Sequence, residues 1–337
     1  MVQPNLTGRV DLETPRVAVI IAAYNVAEYV VRAIASAQAQ TAGPSEIIVS
    51  DDGSSDGTPD VVRRLAERDS RIKLLQSGKN TGPGAARNRA IEATSADWVA
   101  ILDADDAWKP ERLQRLMRAA TESGSVIAAD NYLRFDDTAG RVVGPAFQES
   151  RPLSALTAAR FIASEHPLGR VRFGMLKPMV QRRFLQDHGI QYATNIRLAE
   201  DFHFFLRVLL EGGKGVLLNE ALYIYTLPQS LISGSQSRGS RTKPNLADRV
   251  WIADDLIERY AGRVSPETIE LLGRYRGWMA DIANGHQALD AWRTGHRWRA
   301  LGLALSRPRS AFSYAWTSPT LKRLRAGIEF KQARPPG

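Results

Sequence analysis

The chain has 337 residues, is 44% hydrophobic and 24% charged, and carries a formal net charge of +9 with no cysteine. These fractions are those of an ordinary globular protein of one large or two modest domains, and the missing cysteines exclude disulfides, thiolate zinc sites and cysteine nucleophiles. The charge is uneven: residues 286–337 hold ten Lys or Arg against Asp290 and Glu329, a local +8 that leaves only +1 for residues 1–285.

Residues 1–15 form a polar lead without the apolar core of a signal peptide. The longest clearly apolar run, residues 17–23, is far short of the roughly 20 residues that span a bilayer. A cytoplasmic protein, or one lying on a membrane without crossing it, is expected. Val17-Ala18-Val19-Ile20-Ile21-Ala22 reads as a strand covered on both faces. A helix is predicted over 28–40, with Val30, Ile34 and Ala37 on one side, then a second buried strand over 46–50 that runs into Asp51-Asp52-Gly53. Thr58 is expected to cap the next helix, with Pro59 at its first position. A third strand over 72–76, a polar loop over 77–83 and a helix over 85–93 lead to a fourth strand, Trp98-Val99-Ala100-Ile101-Leu102.

Strand and helix thus alternate at parallel-sheet spacing through residues 15–125, which predicts a doubly wound α/β unit. Beyond it a helix is expected over 110–122, a strand over 126–130, a hairpin within 132–143, a helix over 154–164, a loop over 169–178 and helical turns over 182–188. A helix over 200–211 and short strands over 215–218 and 222–225 follow. Residues 230–243, rich in Ser, Gly and Arg, read as a mobile loop. Helices over 246–260, 266–284 and 288–306 close the chain. The expected organisation is an α/β half over 16–130, a second half of the same domain over 131–244, and a helical, basic extension over 245–337.

In a doubly wound sheet, ligands bind beyond the carboxyl ends of the strands. Four polar clusters fall there: Tyr24-Asn25, Asp51-Asp52, Lys79-Asn80 and Asp103-Ala104-Asp105-Asp106. The last is the sharpest. Carboxylates this close repel one another, and a divalent cation is the common remedy. If the strand continues through them, Asp103 and Asp105 share a face; hard oxygen ligands suit Mn²⁺ or Mg²⁺ beside a diphosphate. The plainer alternative is a strand followed by the acidic first turn of a helix. There is no Walker loop and no Gly-x-Gly-x-x-Gly after the first strand, and the five histidines show no metal-ligand spacing.

Four stretches together resemble the inverting family-two nucleotide-sugar glycosyltransferases of the GT-A fold. They are Ile20-Ile21-Ala22-Ala23-Tyr24-Asn25, Val49-Ser50-Asp51-Asp52-Gly53-Ser54-Ser55-Asp56-Gly57-Thr58, Asn80-Thr81-Gly82-Pro83-Gly84-Ala85-Ala86-Arg87-Asn88 and Leu102-Asp103-Ala104-Asp105-Asp106. Ala199-Glu200-Asp201, heading a helix, is a fifth. Ala23 departs from the family, which usually has Pro there. Within the family the likeness leans to bacterial succinoglycan-type exopolysaccharide glucosyltransferases.

The resemblance implies a UDP-sugar donor and roles for particular residues. Asp51 accepts the uracil N3–H, with Ala23 and Tyr24 bordering the base, Asn25 and Asp52 in the same pocket, and Arg87 and Lys79 near uracil and phosphates. Asp103 and Ala104 meet the ribose. Asp105 ligates Mn²⁺ or Mg²⁺, with Asp103 there or in its water shell, and Asp201 is the base on the acceptor side, with Glu200 beside it. Without the resemblance, the Glu200-Asp201 pair reads as acidic capping of an ordinary helix. Tyr225, Ser230, Arg238 and Arg241 fall where the family closes over the diphosphate.

The acceptor implied is a lipid-linked oligosaccharide or growing glycan, and no nucleic acid is expected as a partner. Trp292, Trp298, Phe312, Tyr314, Trp316 and Phe330 among the basic residues of 286–337 suit an anionic membrane surface, here the inner face of the plasma membrane. A helical cap with a solvated basic face is the other reading of that tail. The competing view of the whole chain is a non-catalytic nucleotide- or polysaccharide-binding module of the same fold. Oligomeric state is left open.

Overall fold

The computed structural model describes residues 15–167, 169, 171–227 and 245–309. Four strands open it: β1 (Val17–Ala23), β2 (Glu46–Asp51), β3 (Ile72–Gln76) and β4 (Trp98–Ile101), joined by helices α1 (Val30–Gln38), α2 (Thr58–Ala66) and α3 (Pro83–Glu92). β1 pairs in parallel with both β2 and β4, and β2 with β3, in the order 3-2-1-4. The chain therefore works outward from β1 and returns to its other side. That reversal opens a crevice between the carboxyl ends of β1 and β4.

The second half extends the same sheet. After β5 (Ala107–Trp108) and α4 (Arg112–Ser123) come β6 (Ile127–Asp136), β7 (Arg141–Pro145), β8 (Leu153–Leu156), α5 (Ala158–Ala163), β9 (Met179–Gln181), α6 (Arg182–Asp187), α7 (Glu200–Leu210) and β10 (Gly215–Thr226). β9 lies between β4 and β6 and runs antiparallel to both, while β10 is parallel to β6. The longer strands therefore share one direction. The short β5, β7, β8 and β9 run against it.

Period-two burial in the strands divides the core into two layers. Val17, Val19 and Ile21 face Val30, Ile34, Val62 and Leu116; Ala18 and Ile20 face the side of α3 and α7. Residues Asp201 to Leu210 of α7 are all buried. A helix apolar nearly all round needs cover on every side. It is supplied by α8 (Ala247–Tyr260) and α9 (Pro266–Arg293), whose Ile252, Leu256, Leu272, Tyr275 and Met279 belong to the same core as the sheet. α10 (Arg297–Ser306) folds back on α9, where Asn284 donates to the Leu303 carbonyl and Arg307 pairs with Asp281. No described helix is long and apolar enough to cross a membrane.

Several expected elements are corrected. The helix expected over 288–306 is broken at Thr294–His296, where Gly295 takes a φ of +83°, a conformation glycine adopts without strain. Only Ala158–Ala163 of residues 154–164 is helical, capped by Thr157; the preceding residues pair with β10 as β8. The two short strands expected after α7 are one irregular strand, β10, with register shifts between Leu218 and Tyr223. Thr58 does not cap α2 but begins it, its hydroxyl buried between the Val26 amide and Asp56. β4 stops at Ile101, so Asp103 and Asp105 lie in a turn, closed by Asp106 N–H donating to the Asp103 carbonyl at 3.1 Å, and not on one strand face. Ser230, Arg238, Arg241 and the loop over 230–243 lie outside the described residues, as do Phe312, Tyr314, Trp316 and Phe330.

Candidate active site

At the end of β1, Ala23 is buried opposite Asp51 of β2, and Tyr24 projects with 43% of its surface exposed. Asn25 adopts a φ of +53°, which Asn tolerates better than most residues. It ties the two strand ends together, its amide donating to Ser54 Oγ and its Oδ1 accepting from the Ser55 amide, both at 2.8 Å. Asp51 is buried. Its Oδ2 accepts from the Gly53 and Ser54 amides, but its Oδ1 has no partner. A buried acceptor without a donor is costly, and a ligand N–H is the natural occupant. Asp52 differs: Thr81 and Gly82 amides and the Thr81 hydroxyl occupy it within 2.8 Å, so it anchors the approach to α3. Lys79 is exposed at the rim.

The turn after β4 divides its three acids. Asp106 is buried, accepting from the Tyr223 hydroxyl at 2.7 Å and the Thr226 amide at 2.8 Å. Burial, then Asp105 and Asp103, push its carboxyl well above the ordinary range. Asp103 is the reverse case: burial opposes its charge, but Lys177 and Arg87, each at 2.8 Å, hold it well below that range. Ala104 is buried between them. Asp105 has no ion pair and no side-chain hydrogen bond among the described residues. Burial and the Asp103 charge push it up to about 6. Its backbone is fixed nonetheless, the carbonyl accepting from Arg32 of α1 and from Thr226.

Arg87 joins this turn to the head of α7. Its guanidinium, 5% exposed, lies 2.8 Å from Asp103 Oδ1, 2.8 Å from Glu200 Oε1 and 3.2 Å from Asp201 Oδ1. Arg87 is thus engaged with three carboxylates. Lys177, also buried, completes the ring by bridging Asp103 and Asp201. Burial, then Asp201, push Glu200 above the ordinary range. Ahead of the pair, Ala199 holds a φ of +63°, strain of the kind found at functional sites. Asp248 of α8 accepts from the Arg197 and Leu198 amides at 3.0 and 3.1 Å and fixes the turn from outside.

Asp103, Asp105, Glu200 and Asp201 together face two cations, Arg87 and Lys177. An excess of carboxylates is thereby left at the edge where a doubly wound sheet binds ligands, and Asp105 is the uncommitted one. No group of three or more acidic or histidine side chains able to hold a metal stands among the described residues. Asp105, alone or with Asp103, offers the one or two carboxylates with which Mn²⁺ or Mg²⁺ is commonly kept beside water and phosphate.

The sequence reading missed Lys177, Tyr223 and Arg32. Lys177, set between apolar Leu176 and Pro178-Met179-Val180, carried a faint signal as an isolated charge entering a buried segment. Tyr223 was hidden in an ordinary apolar alternation, and Arg32 read as the solvent face of α1.

Residues 18–174 match the family described as glycosyl transferase family 2. The succinoglycan biosynthesis protein ExoO of Rhizobium meliloti is 37% identical over 229 residues, 66% of this chain and 63% of that protein, so the chain spans less than two thirds of this relative. ExoU of the same organism is 29% identical over 296 residues, covering 87% of this chain and 83% of its own. Among solved structures, S. aureus TarS 1-349 in complex with UDP-GlcNAc superposes with a TM-score of 0.63 at 18% identity, covering 95% of this chain and 92% of that one. The mannosyltransferase PcManGT from Pyrobaculum calidifontis, in complex with GDP-Man and Mn²⁺, gives 0.52 at 19% identity over 94% and 86%. With the motifs in order on a GT-A fold, just under half of the chain, residues 18–174, is similar to glycosyl transferase family 2.

Proposed function

We propose that this protein transfers a sugar, glucose in our reading, from a UDP-sugar to a lipid-linked or growing exopolysaccharide, with inversion at the anomeric carbon. The observation that carries the proposal is one sheet edge that bears the unpartnered Asp51 Oδ1 and the uncommitted Asp105, with the helix-borne Asp201 joined to Asp103 of that edge through Lys177. The part of ExoO and ExoU in succinoglycan biosynthesis and the UDP-GlcNAc complex of TarS support the substrate class.

In this reading Asp51 Oδ1 accepts the uracil N3–H, Ala23 and Tyr24 flank the ring, and Asn25 and Asp52 hold the two loops that frame it. Lys79 stands at the phosphate rim, and Asp103 and Ala104 border the ribose. Asp105, with Asp103, would hold Mn²⁺ or Mg²⁺, which when bound offsets charge developing on the departing diphosphate. Asp201, at the positive end of the α7 dipole, takes the proton of the acceptor hydroxyl. The acceptor oxygen bonds to the anomeric carbon as that carbon's bond to the diphosphate breaks, its electron pair leaving with UDP. Glu200 sits beside the base and orients the acceptor. The test is UDP release from a panel of UDP-sugars with Mn²⁺ or Mg²⁺. Asp105→Ala and Asp201→Asn should each lower it at least 100-fold, and wild-type rates in both variants refute the assignment.

The reading includes a membrane contact. Trp298, Leu301 and Leu305, exposed by 86%, 48% and 69%, recur at helical spacing on α10, with Arg293, Arg297 and Arg299 around them. An exposed aromatic and aliphatic stripe edged by arginines suits the interface of an anionic bilayer. Flotation with phosphatidylglycerol vesicles should fall when all three apolar residues become Ser. Equal flotation removes the membrane contact.

A further inference from the structure

β9 is three residues long and runs antiparallel to β4, with Met179 opposite Ala100. Its amino-terminal end therefore lies at the carboxyl edge of the parallel strands, and Lys177, two residues before it, arrives beside Asp103. The lysine is held from behind: its carbonyl accepts from Arg112, whose guanidinium is fully buried, paired with Asp130 at 2.8 Å and set against the Trp108 and Tyr223 rings at 4.5 and 5.0 Å. This backing fixes the lysine's main chain without touching its ammonium.

The ammonium contacts Asp103 Oδ2 at 2.8 Å and hydrogen-bonds to Asp201 Oδ2. Asp201 Oδ1 is buried and accepts no hydrogen bond. Arg87 lies 3.2 Å from it without hydrogen-bond geometry, and the Tyr192 hydroxyl, also buried and unpartnered, is near enough to feel the Asp201 charge. The two oxygens of Asp201 thus have separate situations, one clamped by the ammonium and one buried without a hydrogen bond.

We propose that Lys177 is a positioning residue for the transfer step: by clamping Asp201 through Oδ2 to Asp103, it presents Oδ1 to the acceptor hydroxyl at a fixed distance from the donor. The proposal rests on the reading of Asp201 as the base. Lys177 contacts both carboxylates directly. Its position between the strand that ends at the donor and the helix that bears the base lets one side chain set the separation of the two.

The test compares full-length wild type, Lys177→Met and Lys177→Arg in two assays: calorimetric binding of UDP with Mn²⁺, and steady-state UDP release from the UDP-sugar panel. Misplacing a catalytic group by about 1 Å costs on the order of 100-fold in rate. Lys177→Met should bind Mn²⁺ and UDP within about threefold of wild type and keep its KM, yet lose about 100-fold in kcat. Lys177→Arg should recover part of that loss. Wild-type kcat in Lys177→Met, or a raised KM at unchanged kcat, overturns the proposal. If Lys177→Met does not fold, Lys177→Arg decides by the same split, a fall in kcat at constant KM supporting the role and any other result overturning it. A wild-type protein that binds UDP but releases none from any donor overturns the transferase reading and this role with it. Turnover in wild type matched by both variants overturns only the role of Lys177.

Discussion

Replacing Arg87 with Met tests whether one guanidinium organises the acidic centre. Arg87 is buried and within 3.2 Å of Asp103, Glu200 and Asp201. Without it, Lys177 still serves Asp103 and Asp201, but Glu200 has no other cation within 4 Å among the described residues. Removing one partner of a buried ion pair costs about 3–5 kcal/mol. Glu200 already binds its proton more tightly than usual and can neutralise itself, so the low end, about 3 kcal/mol, is expected at pH 7.5. Denaturant unfolding monitored by circular dichroism should show this as a lower midpoint at unchanged slope. The loss should shrink at pH 5, where a protonated Glu200 no longer needs a cation. Adding Glu200→Gln to Arg87→Met should restore about 1–2 kcal/mol, because the stranded charge goes too. A single variant within 1 kcal/mol of wild type, or a double-mutant cycle with no coupling, would refute the claim that Arg87 binds the centre together.

Two further outcomes follow from the charges. Asp105 has a folded pKa raised to about 6, so its contribution to stability is complete below about pH 4 and lost as pH rises through 6. In chelator, Asp105→Asn should therefore stabilise the chain at pH 7.5, on the order of 1–2 kcal/mol after screening, with no gain at pH 4; a lower melting temperature than wild type at pH 7.5 contradicts this. Asp255 of α8 is lowered to about 2, chiefly by its hydrogen bond with His203 of α7 at 2.8 Å. Its stabilisation is present above about pH 4 and lost as pH falls through 2. Asp255→Asn should lower the melting temperature at pH 7 by roughly 2–4 °C, and the gap should narrow between pH 4 and 2. A gap that persists at pH 2 would assign the effect to packing.

The strands and the edge they share were legible because a doubly covered parallel strand leaves an unbroken apolar run, and its carboxyl end is marked where that run meets charge. Asp51 and Asp103 were located at that edge in this way, whereas the head of α7 was picked out by the family resemblance alone. What joins them was not legible. β9 has three residues and no alternation to detect, so its place between β4 and β6, and with it the delivery of Lys177, follows from tertiary pairing alone. The cover that lets α7 bury both of its faces arrives from α8 and α9, whose own pattern named no partner.

The acidic turn shows why residue type located the site and contact assigned the work. The expectation that Asp103 and Asp105 share a face assumed that β4 continues through them. It stops at Ile101, and the three acids that follow meet three environments. Asp106 meets a tyrosine hydroxyl and a backbone amide, and burial beside Asp105 and Asp103 makes it hold a proton more tightly than an ordinary carboxyl. Asp103 meets two buried cations and keeps its charge. Asp105 meets neither, and its charge is the least compensated of the three. A site built to receive a cation with a diphosphate needs one such residue and is weakened by three, because each uncompensated buried charge raises the free energy of the empty state. Arg87, Lys177 and Tyr223 can be understood on that basis as the groups that reduce a run of four residues to a single available carboxylate.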